Sequence, residues 1–327
     1  GNVLDGEPIR LSQELLSRGG ILAVKGIGGF HLACLPSEHV VQKLRARKQR
    51  WAKPLALMAA SEKATERVCT LQKLDRTLLL NPRRPIVLLD KREGESMPWL
   101  SFSDTLGIML PYTPMHALLF DGASFDLLVM TSANLSGKPV IFRNDDAVSE
   151  LHGIADGYLM HNREIVRRCD DSLVQSVEGV TTFFRRSRGY APQPLTMDFS
   201  VDGILALGAE QKASFALGKG QRSFYSQHIG DLKNAETLGF YERQISDFEN
   251  IFDVKPRLLV CDLHPDYLST RWAQDTGLPL MQVQHHHAHM CSCMADNGLE
   301  GDCIGLVWDG TGLGTDGTIW GGEVLTG

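Results

Sequence analysis

Lys43-Leu44-Arg45-Ala46-Arg47-Lys48-Gln49-Arg50-Trp51-Ala52-Lys53-Pro54-Leu55-Ala56-Leu57-Met58 runs a cluster of cations directly into an apolar segment. Six cations fall within the eleven residues from Lys43 to Lys53. Ser37 to Trp51 has helical character, with Ser37 suited to the N-cap before Glu38. Pro54 to Ala59 reads as a short buried strand. A helix handing over to a strand puts the last cations at a strand mouth, where open α/β sheets bind ligands. Arg and Lys there would give phosphate oxygens charge-assisted donors. A solvated helix face is the plain alternative, and nucleic acid is another. Only Trp51 interleaves the cations, which favours a nucleotide or phosphate over a nucleic acid.

Outward from this junction the segments alternate in type. Gly20 to Lys25 reads as a strand and Gly26-Ile27-Gly28-Gly29 as the turn after it. Pro85 to Leu89, Leu106 to Leu110 and Leu127 to Thr131 read as further strands, and Thr113 to Leu119 and Asp145 to His152 as helices. Such alternation implies an α/β domain with a mixed sheet. Val129-Met130-Thr131-Ser132-Ala133-Asn134-Leu135-Ser136-Gly137 takes a strand into hydroxyl and amide groups and then a glycine. That composition suits an oxyanion, and a simple capped turn shares it. Arg185-Arg186-Ser187-Arg188-Gly189 forms a second basic patch.

The 327 residues are 43% hydrophobic and 22% charged, an ordinary globular composition. At roughly 150 residues per domain they make two domains. Residues 1–200 carry 25 Lys/Arg against 22 Asp/Glu, whereas residues 201–327 carry 8 against 17. The charge changes sign near Ala191-Pro192-Gln193-Pro194-Leu195, a stretch that continues neither a helix nor a central strand. The expected units are 1–195 and 196–327, joined between about 190 and 203. No apolar run approaches the ~18 residues of a membrane span, and the N-terminal residues lack the pattern of a secretory signal. Seven scattered cysteines without a CxxC pair suggest reduced thiols and a cytoplasmic protein.

The second unit opens with a strand at Gly203 to Gly208. A hairpin follows, Ser214 to Leu217 and Arg222 to Ser226 around Gly218-Lys219-Gly220. A helix over 234–252 and strands at Leu258 to Cys261 and Ile304 to Trp308 come next. Gln284-His285-His286-His287-Ala288-His289 is its most informative stretch. On a helix His285 and His289 are i and i+4, so both imidazoles face one side and can share a metal. His286 and His287 point elsewhere, and Cys293, at i+8, continues the stripe, suited to packing first and to a soft ligand second. The last of these strands delivers Asp309 into the glycine-rich stretch Asp309 to Gly317, a turn suited to a metal carboxylate beside phosphates.

Lys48-Gln49-Arg50 with Lys53-Pro54-Leu55, together with Thr131 to Gly137, resembles the YrdC/Sua5 family over about residues 10–190. Its members hold ATP through KxR and SxN elements and make a carbamoyl-type adenylate. The resemblance implies catalytic roles for Lys48, Arg50, Ser132 and Asn134. The tRNA-modifying members carry a proline-threonine-glutamate-threonine run at the first strand. Here Lys25-Gly26-Ile27-Gly28-Gly29-Phe30-His31, with Arg83-Arg84-Pro85 and Leu110 to Pro114, is similar to the YrdC-like domain of the HypF carbamoyltransferase family of hydrogenase maturation. His285, His289 and Asp309 resemble the metal site of the TsaD-like branch of actin/Hsp70-like ATPases, which bind iron or zinc.

The implied fold is a YrdC-like mixed twisted sheet domain followed by the first part of an actin/Hsp70-like (TsaD-like) α/β domain. The order of the two domains matches HypF, and the chain reads as an internal fragment lacking the family's fourth metal ligand. The implied cofactors are ATP, Mg2+ and a divalent zinc or iron. Lys25, His31, Lys53, Thr131, Arg186, Ser187, Gly310 and Gly312 would contact the cofactor, and His285, His289 and Asp309 the metal. The implied reaction joins carbamate, derived from carbamoyl phosphate, to ATP. It then passes the carbamoyl group to the C-terminal cysteine of HypE, for the cyanide ligands of [NiFe]-hydrogenase. Three rivals remain: a threonylcarbamoyl-adenylate synthase of tRNA modification, an RNA-binding YrdC-like module and a simple metallohydrolase. The acidic second unit speaks against an RNA partner, and no membrane partner is expected.

Overall fold

The computed structural model describes residues 5–134 and 138–327, in two units that divide between Tyr190 and Ala191. The first unit runs α1 (Pro8–Ser17), β1 (Leu22–Lys25), β2 (Phe30–Cys34), α2 (Glu38–Lys48), β3 (Leu57–Ala59), α3 (Glu62–Thr65), α4 (Lys73–Leu80), β4 (Ile86–Asp90), β5 (Thr105–Met109), α5 (Pro114–Phe120), β6 (Leu127–Ser132), α6 (Asn144–Glu150), β7 (Gly157–Leu159), β8 (Leu173–Val177) and β9 (Val180–Arg185). One nine-stranded sheet takes the order β7-β1-β2-β6-β3-β5-β4-β8-β9. Its β1–β7, β3–β5 and β4–β8 pairs are parallel and the rest antiparallel, the mixed α/β sheet the alternation implied.

Both faces of the central strands are covered, so they read as continuous apolar runs rather than alternating ones. Ile21 and Ala23 pack with Val41 and Leu44 of α2, while Leu22 and Val24 pack with Leu16 of α1 and Leu119 of α5. The turn before β2 approaches the Cys169 segment closely. Cys169 N–H donates to the Gly28 carbonyl at 2.9 Å, and a Cβ on Gly28 would lie 2.2 Å from the Cys169 oxygen. Only glycine fits there.

Two expectations change in detail. The helix stops at Lys48 because Gln49 adopts a left-handed conformation, φ 53° and ψ 43°, and the Ser37 side chain makes no capping bond. The following strand begins only at Leu57, because Pro54 has no N–H for a ladder.

The second unit runs β10 (Pro194–Thr196), β11 (Ile204–Leu207), β12 (Phe215–Lys219), β13 (Arg222–Tyr225), α7 (Ala235–Phe252), β14 (Leu258–Asp262), α8 (Leu268–Asp275), β15 (Leu280–Val283), α9 (His285–Asn297), β16 (Ile304–Leu313) and β17 (Ile319–Thr326). Six strands form a sheet of order β10-β13-β12-β11-β14-β15, with β14 parallel to both β11 and β15. Helix α7 buries Phe240, Tyr241, Ile245 and Phe248 against it, and Tyr241 and Phe248 both meet the Phe215 ring edge-on. No described helix is long and apolar enough to cross a membrane.

The glycine-rich stretch from Asp309 departs from expectation. Asp309 to Leu313 continues β16 instead of turning, because β17 supplies ladder partners, Gly312 opposite Trp320 and Leu313 opposite Ile319. The register shifts between Trp308 and Gly312, and the reversal comes later, where Gly314 N–H donates to the Thr318 carbonyl at 2.8 Å. A Cβ on Gly312 would meet the His286 ring at 2.5 Å and the His285 Cβ at 3.0 Å, so this glycine seats the hairpin on α9.

Candidate functional site

The left-handed Gln49 ends α2 so that Lys48 and Arg50 both reach the end of β6. Lys48 is 1% exposed, donates to Asn134 Oδ1 at 3.0 Å and also bonds the Ser132 carbonyl. The Ser132 hydroxyl donates to the same Asn134 oxygen at 2.9 Å. Arg50 reaches Thr131 Oγ1 at 3.1 Å, and its Nε is buried without a partner. All these acceptors are neutral oxygens. Burial pushes the Lys48 ammonium down to about 7, and the Arg50 charge adds to the effect. A buried and a half-buried cation whose described hydrogen-bond acceptors are all neutral make a site for an anion.

A bound polyphosphate would restore the Lys48 proton, so nucleotide binding should take up protons near neutral pH. We expect calorimetry in buffers of different ionisation enthalpy to show about half a proton more taken up per ATP near pH 7 by the native chain than by Lys48→Arg, since arginine does not titrate there. Equal uptake by both proteins would remove Lys48 from the nucleotide site.

His31 lies opposite Ser132 in the β2–β6 ladder, so the two side chains share a face of the sheet. His31 Nε2 is 3.1 Å from Asp171 Oδ2, and Oδ1 of the same carboxylate accepts from Arg188 Nε and Nη2 at 3.0 and 2.8 Å. Burial alone would raise the Asp171 carboxyl, but the His31 hydrogen bond and the Arg188 charge hold it well below the usual range. The Arg188 guanidinium lies 3.7 Å over the Tyr112 ring, which meets His116 edge-on at 4.5 Å. Burial lowers His116 to about 3, and neither of its ring nitrogens has a partner. Sequence reasoning missed Asp171, Tyr112 and His116 as site candidates. Its only pointers were the quoted Leu110 to Pro114 segment and Arg188 in the second basic patch.

The basic cluster splits by role, which spacing alone could not reveal. Lys43 and Arg47 pair with Asp156 at 2.9 and 2.7 Å. Arg45, 4% exposed, gives its donors to the carbonyls of Trp99, Arg50, Lys53 and Leu100 at 2.9 to 3.2 Å. Lys53 is exposed. Lys25 is buried, its ammonium donates to the His161 carbonyl at 3.1 Å, and burial lowers its pKa. Arg186 stacks over Phe183 at 4.6 Å. Ser187 is fully buried, with its N–H on Ser172 Oγ at 2.8 Å and its hydroxyl 3.4 Å from the Cys169 thiol. Its hydroxyl and N–H are thus both turned to protein groups. Leu135, Ser136 and Gly137 lie outside the described residues.

In the second unit α9 begins at His285, and the helical register holds. His285 Nε2 lies 2.8 Å from Asp309 Oδ2 and 3.2 Å from His289 Nε2, and His289 Nε2 lies 3.7 Å from the same carboxylate oxygen. Ligand atoms each ~2.1 Å from one ion, at tetrahedral or octahedral angles, stand ~3.0–3.4 Å apart. The three separations bracket that range, so small side-chain shifts would let the groups close on one divalent ion, with Asp309 placed by the register shift of β16. A hydrogen bond to Asp262 raises the His285 pKa, whereas burial and the His285 charge lower that of His289. His286 is fully buried and its Nε2 bonds the Gly321 carbonyl at 2.6 Å, while exposed His287 pairs with Cys291 at 3.3 Å. Gly310 is exposed with open space around its Cα, and Gly312 is buried. Cys293, read as packing, is exposed beside His289 along a cavity of about 370 Å³.

Comparison with known proteins gives a consistent picture. The family described as "Telomere recombination" (Sua5/YciO/YrdC) matches residues 14–187, and the "HypF Kae1-like domain" family matches residues 200–296. The carbamoyltransferase HypF of Rhizobium leguminosarum bv. viciae is 41% identical over 97% of this chain and 43% of its own length. That of Synechocystis is 42% identical over 98% of this chain and 42% of its own. The chain thus spans less than half the length of these curated relatives. The crystal structure of full-length HypF in the phosphate- and nucleotide-bound form has a TM-score of 0.94 at 41% identity, covering 100% of this chain and 44% of that one. For T. kodakarensis HypF the TM-score is 0.95 at 40% identity, over the same shares. A Sua5 from P. abyssi, 15% identical with a TM-score of 0.52 over 86% of this chain and 97% of its own, shares the fold.

Proposed function

Since the chain belongs to the HypF carbamoyltransferase family, we propose that it carries two successive steps of carbamoyl transfer, one in each unit. In residues 1–195 a carbamate oxygen attacks the α-phosphorus of ATP, forming carbamoyl adenylate and expelling pyrophosphate. Lys48 and Arg50 offset the charge growing on the phosphate oxygens, with Mg2+ supplying further neutralisation when bound. Thr131, Ser132 and Asn134 orient the triphosphate, and His31, held by Asp171, lies on the carbamate side. Lys25, Lys53 and Arg186 add positive potential around the site.

In residues 196–327 the thiolate of a C-terminal cysteine, that of HypE, attacks the carbamoyl carbon, and AMP leaves. His285, His289 and Asp309 would hold a zinc or iron ion, which supplies Lewis-acid polarisation or an anchor for nucleotide oxygens when bound. Gly310, exposed beside Asp309, leaves room for those oxygens. The carbamoyl group starts as carbamate from carbamoyl phosphate and ends in the cyanide ligands of [NiFe]-hydrogenase. Seven free thiols suit a reducing cytoplasm for this chemistry.

The meeting of Lys48 with Ser132 and Asn134, and of Arg50 with Thr131, is the observation that carries this reading. Its test is ATP–pyrophosphate exchange by the whole chain. Ammonium carbamate should support exchange, and L-threonine with bicarbonate should not. Exchange that requires threonine together with bicarbonate would reassign the chain to threonylcarbamoyl-adenylate synthesis.

A further inference from the structure

Asp262 ends β14 and is 8% exposed. Its Oδ2 stands 2.5 Å from His285 Nδ1, and its Oδ1 accepts the His264 backbone N–H at 2.9 Å. Its own carbonyl accepts from the Thr270 hydroxyl of α8 at 3.3 Å and the Gln282 amide of β15 at 3.4 Å. Strand β15 pairs in register with β14, placing Val283 opposite Asp262 two residues before His285. The six-stranded sheet therefore fixes both the backbone and the carboxylate of Asp262, and the carboxylate in turn fixes one imidazole.

We propose that Asp262 is a positioning residue that holds His285 in the one tautomer able to bind a metal through Nε2. An ionised carboxylate is acceptor-only, so the Nδ1 facing it must carry the proton. The Nε2 lone pair is then left toward His289 and Asp309, the two groups with which it could share a divalent ion. Such an outer carboxylate also makes the ligating nitrogen more basic, and its loss typically costs 10–100-fold in metal affinity. This inference rests on the metal reading above and adds the residue that selects the ligand atom.

The geometry makes an unusual ordering of variants. In Asp262→Asn the His264 N–H must still meet an acceptor, so the amide oxygen takes the Oδ1 place and the NH2 group faces His285. That donor forces Nδ1 to accept and moves the proton to Nε2, the wrong tautomer. In Asp262→Ala both tautomers are open. Zn2+ affinity of the whole chain, measured by competition with a chromophoric chelator, should therefore fall in the order native, Ala, Asn, with Asn about 10- to 100-fold or more below native. A packing defect alone would reverse the two variants, because alanine removes more atoms.

Nitrogen NMR of histidine-labelled chain at alkaline pH, without metal, should show the His285 proton on Nδ1 in the native chain and on Nε2 in Asp262→Asn. The His285 signals are assigned by their loss in His285→Gln. Native affinity in Asp262→Asn, or an unmoved proton, would overturn the inference. If the native chain binds Zn2+ no better than His285→Ala, the metal reading falls while the NMR arm still decides the role of Asp262. If Asp262→Asn does not fold, Asp262→Ala decides, and affinity within twofold of native would overturn the inference.

Discussion

Replacing His285, His289 or Asp309 with alanine should each lower the affinity of the chain for zinc or ferrous ion by about 100- to 1,000-fold. Structural zinc sites with four ligands bind with roughly 10–16 kcal/mol, so one ligand is worth ~3–4 kcal/mol. The three ligand atoms lie within 4.8 Å of one another and come from the start of α9 and from β16, so removing one leaves two of the three protein ligands. His287→Ala should be silent for metal content, because that ring points outward to Cys291. His286→Ala should instead loosen the hairpin from α9, since its Nε2 holds the Gly321 carbonyl. ATP–pyrophosphate exchange should be unchanged in the three ligand variants, because Lys48 and Arg50 belong to the other unit. Metal content that follows His286 and His287, or exchange that falls with the metal, would refute the division of labour.

Lys48→Ala and Arg50→Ala should each weaken ATP binding by about 10- to 100-fold, since a charge-assisted hydrogen bond is worth roughly 1.5–3 kcal/mol. The neighbouring Arg45 supplies the contrast within the same helix. Its donors all go to backbone carbonyls, so Arg45→Ala loses four bonds that tie the end of α2 to the segments around Lys53 and Leu100, at ~1 kcal/mol each. That variant should lose thermal stability, whereas Lys48→Ala should keep it, because removing a desolvated cation offsets the lost bonds to Ser132 and Asn134. Equilibrium dialysis with ATP and a melting curve on each variant separate the two effects. Native ATP affinity in both Lys48→Ala and Arg50→Ala would end the assignment of this site.

What the sequence made legible was what short-range chemistry determines. The cationic helix, the hairpin of β12 and β13 and the face shared by His285 and His289 each follow from residues within a turn or two of one another. Strand β2 escaped because Phe30 to Cys34 follows a glycine turn without a boundary of its own, and its partners are distant strands. Asp309 was expected at the mouth of a turn and stands instead within β16. Glycines at 310, 312 and 314 look like a turn until β17 pairs Gly312 with Trp320 and Leu313 with Ile319. Asp171 illustrates the same limit at the site, a single carboxylate whose importance comes from an imidazole 140 positions away.

Asp156 has a consequence for the order in which the first unit is made. It accepts the Ile21 N–H from 135 positions away and pairs with Lys43 and Arg47 from 113 and 109. β1 likewise waits for β7 on its outer side. On a ribosome the chain emerges from its N-terminus, so the cations of α2 leave the tunnel long before the carboxylate that braces them. Contacts of such span are slow to close and leave early segments exposed to chaperones. The helix that carries Lys48 is therefore braced by Asp156 only once synthesis has passed that residue.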